Sequence, residues 1–118
     1  MMYSTVIEHK KHRIHFADYT RLDEDEFIKA MRHNTQENIN NEERDILLLL
    51  CVEGVHASKN ILKVCIELSP TLRPYTKKIA VLGLPRMQHL FVNYLVSVFT
   101  IRARAFDDET EAKNWLVE

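Results

Sequence analysis

The chain has 118 residues, enough for one domain that buries about two-thirds of the surface its unfolded form exposes. Hydrophobic residues at 46% and charged residues at 28% are an ordinary balance for a soluble globular chain. With 16 basic and 17 acidic side chains in small mixed groups, the formal charge is −1, which argues against a basic nucleic-acid module.

The N-terminus, MMYSTVIEHKKHR, lacks the apolar segment of a signal peptide. Residues 3–20 read as two strands, in which Ile14 and Phe16 alternate with Arg13 and His15, joined by a polar connection from His9 to His12. LDEDEFIKAMRHNTQENIN predicts a helix capped by Asp23, with Glu26 at the capping-box spacing and Phe27, Ala30, Met31 and Ile39 on its apolar face. DILLLLCV is apolar on both alternating faces, as a strand covered on both sides should be. Its longest apolar run, 46–52, is far shorter than the roughly 20 residues a membrane-spanning helix needs.

SKNILKVCIELS follows as a helix, with Ile61, Leu62, Cys65, Ile66 and Leu68 at helical spacing. KKIAVLG reads as a second buried strand ended by Gly83, and PRMQHLFVNYLVSVF as a helix opening on Pro85. RARAF gives a short strand, and DDETEAKNWL a last helix capped by Asp108 with Glu111 three residues on. The order ββαβαβαβα, with no linker, repeat or Gly-rich phosphate loop, predicts a single α/β domain over 1–118. About five strands would form a mixed, largely parallel sheet flanked by helices. Cys51 and Cys65 are too few for a disulfide framework and read as buried free thiols, the pattern of a cytoplasmic protein.

Three stretches, DILLLLCVEGVHASKNILK, KKIAVLGLPRMQHLFVNYL and ARAFDDETEAKNWL, together resemble the STAS domain and its relatives, the anti-sigma-factor antagonists. The chain is most similar to the bacterial branch of that superfamily whose members have no assigned activity. The resemblance implies a STAS-like fold and a non-enzymatic regulatory or protein-interaction module. Some relatives with this fold hold lipids or other apolar ligands. In the antagonists an Asp-Ser or Asp-Thr, then a small residue and Gly, carries the phosphorylated hydroxyl. Here Ala57, Ser58, Lys59 and Asn60 occupy that junction, so the resemblance carries over Ser58 alone.

Ser58 is also a sufficient N-cap, and the cap is the preferred reading because Ser is among the residues most favoured there. A phosphate at Ser58 would meet the positive end of the helix, with Lys59 beside it. Arg86 stands at the start of its helix on the same sheet edge as Ser58 if the two preceding strands are parallel; it is a candidate anion or partner contact, with a solvated side chain preferred. His9, His12 and His15 recur every three residues, but on a strand that spacing points to opposite faces, and no metal or other cofactor is expected. The acidic groups at 23–26 and 107–111 sit at helix starts and need no catalytic role. Cys51, His56 and Ser58 lack a third group to orient the imidazole, so no enzyme is expected.

Helix 87–99 is apolar over an unusually wide arc. Either it lies deep with neighbours on two sides, or one face, including Phe91, Tyr94, Leu95 and Val98, meets a second copy of the chain or an apolar ligand. The preferred expectation is a homodimer or other protein partner. The alternative is a carrier or sensor of a lipid-like ligand in a cavity under that helix.

Overall fold

Two N-terminal strands, β1 (Ser4–His9) and β2 (His12–Asp18), pair antiparallel, from Ser4 opposite Ala17 to His9 opposite His12. Lys10 and Lys11 make the turn at φ 49° and 69°; two positive φ values mark a type I′ turn, whose twist matches that of a hairpin. Asn-Gly would favour this turn, whereas each lysine costs about 1–2 kcal/mol in the left-handed region. The computed structural model, which describes residues 2–118, then alternates helix and strand. The elements are α1 (Glu24–Asn40), β3 (Ile46–Cys51), α2 (Lys59–Leu72), β4 (Thr76–Leu82), α3 (His89–Phe99), β5 (Ala103–Phe106) and α4 (Glu109–Val117).

The five strands lie in the order β1-β2-β3-β4-β5, with every pairing after the hairpin parallel. The predicted ββαβαβαβα order and mixed, mostly parallel sheet are therefore the observed ones. β3 is central, and its residues divide between the two faces. Leu47 and Leu49 pack with Ile14, Ala80 and Phe106 against Ala112 and Leu116 of α4. Ile46 and Leu48 pack with Ile79 and Ile101 on the opposite face. There α1 and α2 bring Phe27, Ala30, Met31, Ile61, Val64 and Leu68 onto Ala17 and Tyr19. Fully buried side chains such as Ile14 and Leu49 each stabilise the fold by about 1.5–3 kcal/mol.

The helix starts follow their sequence signals. Asp23, Ser58 and Asp108 accept hydrogen bonds from the amides of Glu26 (2.9 Å), Ile61 (3.3 Å) and Glu111 (2.9 Å). Glu26 also accepts from the Tyr3 hydroxyl at 2.7 Å, which ties α1 to the chain entering β1.

Three local departures have physical causes. Ile39 is only half-buried, and Asn34, Thr35 and Asn38 occupy the inner face of α1's later turns. Asn34 is accommodated because its carboxamide bonds both backbone groups of Met2 and the Tyr19 hydroxyl, at 2.7–2.9 Å. Lys78 lies buried in β4, where its ammonium donates to Trp115 O at 2.7 Å and offsets the negative C-terminal end of α4. Pro85 has extended backbone (φ −55°, ψ 143°), so residues 86–88 form a short 3₁₀ turn and α3 begins at His89, later than the sequence predicts.

Candidate functional site

α3 is the most apolar helix of the chain by sequence, yet Val92 is its only buried residue among those described. It does not lie deep between two layers, because it covers the β5 side of the sheet with α2 as its helical neighbour. Its apolar arc therefore divides. Leu90, Tyr94 and Val98 face outward, 74%, 48% and 51% exposed. Phe91, Val92 and Leu95 face inward and line a cavity of about 350 Å³.

The remaining walls come from Ile61, Leu62 and Cys65 of α2, and from Leu50, Ile79 and Val81 of the sheet. Val55, Ala57 and Leu84 line it beyond the carboxyl ends of β3 and β4, where open α/β sheets place their ligands. Met87 belongs to the lining and is 90% exposed, which puts it at the rim. Polar groups in the wall are few. Ser69 donates to Cys65 O at 2.6 Å and is satisfied within α2. Burial pushes the Cys65 thiol up to about 11, so it stays protonated and unreactive at neutral pH. Gln88 Oε1 is buried with no hydrogen-bond partner among the described residues. Burial shields this oxygen from the chamber, whose open wall is therefore almost wholly apolar.

Ser58 and Arg86 share the same sheet edge, since β3 and β4 are parallel. The Ser58 hydroxyl caps α2 and also donates to the Glu24 carboxylate of α1, which Asn60 Nδ2 joins at 3.2 Å. The Ser58 hydrogen bond, then that of Asn60, holds the Glu24 carboxyl below the usual range. A phosphate on Ser58 would lose the hydrogen bond to this carboxylate and meet its negative charge. Lys59 is exposed. Arg86 is spoken for by Asp107, at 3.2 Å across the surface between the β4 and β5 ends.

The histidines do not converge. His9 bonds Asn114 at 2.7 Å, His12 is exposed, and His15 is buried against Glu43 at 3.0 Å. Among the described residues no group of three or more His, Cys, Asp or Glu side chains is placed to hold a metal ion. Cys51 ends β3, half-buried, with its sulfur 3.4 Å from Thr20 Oγ1. The Ser58 proton goes to Glu24 rather than to His56, so Cys51, His56 and Ser58 form no relay. No helix of the described residues is long and apolar enough to cross a membrane. Sequence reasoning named Phe91 and Leu95 but missed α2's share of the cavity and Gln88; helical spacing flagged Leu62 and Cys65 only as core.

No family model and no curated protein matches the chain. Among solved structures, it is similar to an uncharacterized protein of the DUF3478 family with a SpoIIAA-like fold from Shewanella loihica PV-4. The TM-score is 0.74 at 12% identity, over 96% of this chain and 91% of that one. Sheet order, helix placement and this likeness agree: the chain has a STAS-like, SpoIIAA-like α/β fold.

Proposed function

We propose that the chain is a non-enzymatic cytoplasmic module that binds a small apolar ligand, held under α3. The supporting observation is the chamber itself. Protein interiors close to crystal-like density, and voids larger than a water are few. A space of about 350 Å³ lined by aliphatic and aromatic side chains falls within the range of small-molecule sites, roughly 300–1,000 Å³. Titration with a fluorescent naphthylamine, followed by displacement with dodecanol, tests the reading. Saturable binding that dodecanol reverses supports it, because the alcohol's chain competes for the same apolar space. Absence of binding, together with a ligand-free mass for freshly purified protein, removes it.

The outer face of α3 favours a second, compatible reading: a regulatory contact with a protein partner, a second copy of the chain first of all. Leu90, Tyr94 and Val98 form one exposed apolar stripe on the helix whose inner face lines the chamber, with exposed Met87 in the 3₁₀ turn just before it. One helix would thereby sense the ligand on one side and present the partner surface on the other. Sedimentation equilibrium checks this, and a monomer at every accessible concentration counts against self-association.

A further inference from the structure

At the opposite sheet edge from Ser58, a separate depression of about 390 Å³ is lined by Arg73, Pro74, Thr76, Lys77, Thr100, Ile101 and Arg102. Three of these are cations and none is acidic. Backbone contacts fix where the main chain presents each of these exposed cations. Arg73 follows α2 in a 3₁₀ turn whose first carbonyl accepts the Thr76 amide. Ile46 pairs with Thr76 and Leu47 with Lys78, so Lys77 is the extra residue of a β-bulge; bulges re-aim a side chain and are frequent beside binding sites. Arg102 O accepts the Ile79 amide at 2.8 Å, which holds the entry to β5 against β4.

The charges lining the depression are unbalanced, although Glu42, Glu43 and Asp45 lie outside it at the same edge, just before β3. Arg13, Arg32, Arg86 and Lys113 each pair with a carboxylate, whereas Arg73, Lys77 and Arg102 are in no ion pair among the described residues. The C-terminal ends of α2 and α3 lie here, but about half a negative charge at each does not cancel three cations. Thr76 Oγ1 is buried with no hydrogen-bond partner among the described residues, leaving a hydroxyl beside the cations without an assigned bond. Buried Lys78 feels these charges: desolvation, then the Arg102 charge and more weakly that of Lys77, pull its ammonium below the usual range against the opposing charge of Glu118.

We propose that Arg73, Lys77 and Arg102 form an oxyanion site that takes a phosphate group. Arginine forks and a lysine point charge are the side chains suited to a phosphate's oxygens. The site does not depend on the apolar chamber, with whose lining it shares only Ile101.

The phosphate can come from a soluble phosphorylated molecule or from a lipid headgroup, and two measurements on the full chain distinguish them. In the first, inorganic phosphate is titrated against amide NMR signals, with chloride at matched ionic strength as control. Saturable shifts confined to Thr76, Lys77, Thr100 and Arg102 are expected. Lys77→Gln and Arg102→Gln should each weaken binding at least tenfold, and Arg73→Gln supplies a third variant if either of these unfolds. In the second, the protein is sedimented with phosphatidylglycerol or phosphatidylcholine vesicles. Recruitment to the anionic vesicles alone, lost in the same variants, assigns the site to headgroups; phosphate binding without recruitment assigns it to soluble phosphates. Diffuse shifts that chloride reproduces, or binding unchanged in folded variants, overturn the proposal.

Discussion

Replacing Cys65 by phenylalanine separates an open chamber from an ordinary packed core, because the two predict opposite signs. In a packed interior a larger side chain costs about 1–3 kcal/mol through strain. Cys65 instead lines a cavity of about 350 Å³ between α2 and α3. The ring adds roughly 80 Å³ over a thiol, and at about 24 cal/mol per Å³ of cavity filled this stabilises the fold by up to about 2 kcal/mol. For a domain of this length each kcal/mol moves Tm by roughly 3–5 °C, so a rise of about 6–10 °C is the upper expectation. The same ring removes nearly a quarter of the ligand space, and naphthylamine affinity should fall at least tenfold, equivalent to about 1.4 kcal/mol. Scanning calorimetry and fluorescence titration of wild type and Cys65→Phe measure both. A lower Tm with unchanged probe affinity would refute the chamber, since it would mean that the space around Cys65 is already filled.

The raised Cys65 thiol has a pH consequence. The thiol stays protonated in the fold up to about 11, while in the unfolded chain it ionises near 9.0, so the folded state binds more protons between these values. Stability should therefore fall as pH rises from 9 to 11, by at most about 3 kcal/mol relative to Cys65→Ala. Parallel pH curves for the two proteins in urea unfolding would contradict this. Gly83 has φ +86°, and an added Cβ would sit 2.9 Å from the Glu53 amide nitrogen. Gly83→Ala should cost at least about 1 kcal/mol in urea unfolding, and a loss below half of that disproves the close approach. The paired substitution Leu90→Glu and Val98→Glu lies on the outer face of α3, so stability should change by no more than about 0.5 kcal/mol. Sedimentation should show any dimer lost, and a dimer that survives excludes this stripe as its interface. Ser58→Ala removes a cap and should lower stability by about 1 kcal/mol. It should also flatten the acid side of the stability curve, where protonation of Glu24 weakens its charge-assisted bond from Ser58; an unchanged acid limb in urea unfolding at pH 3–5 speaks against that link.

Sequence alone determined the element order, because local rules operate there without long-range help. Asp23, Ser58 and Asp108 are caps by residue type and position, and 46–52 is apolar on both faces because β3 is covered on both. The Lys10 and Lys11 turn carried no such signal, and the inward Asn34 and buried Lys78 broke the polar-out expectation. Their partners Met2, Tyr19 and Trp115 lie 15–37 residues away in the chain. The fate of α3 was likewise undecided locally: periodicity reports how wide an apolar arc is, but not what stands opposite each part of it. Only the tertiary structure, by setting α3 beside β5 and α2, sent Phe91 and Leu95 into a chamber and left Tyr94 and Val98 in solvent. The basic depression arises in the same way. Arg73 and Lys77 come from the passage out of α2 into β4 and Arg102 from the α3–β5 connection, and parallel pairing of β4 with β5 brings the two to one edge.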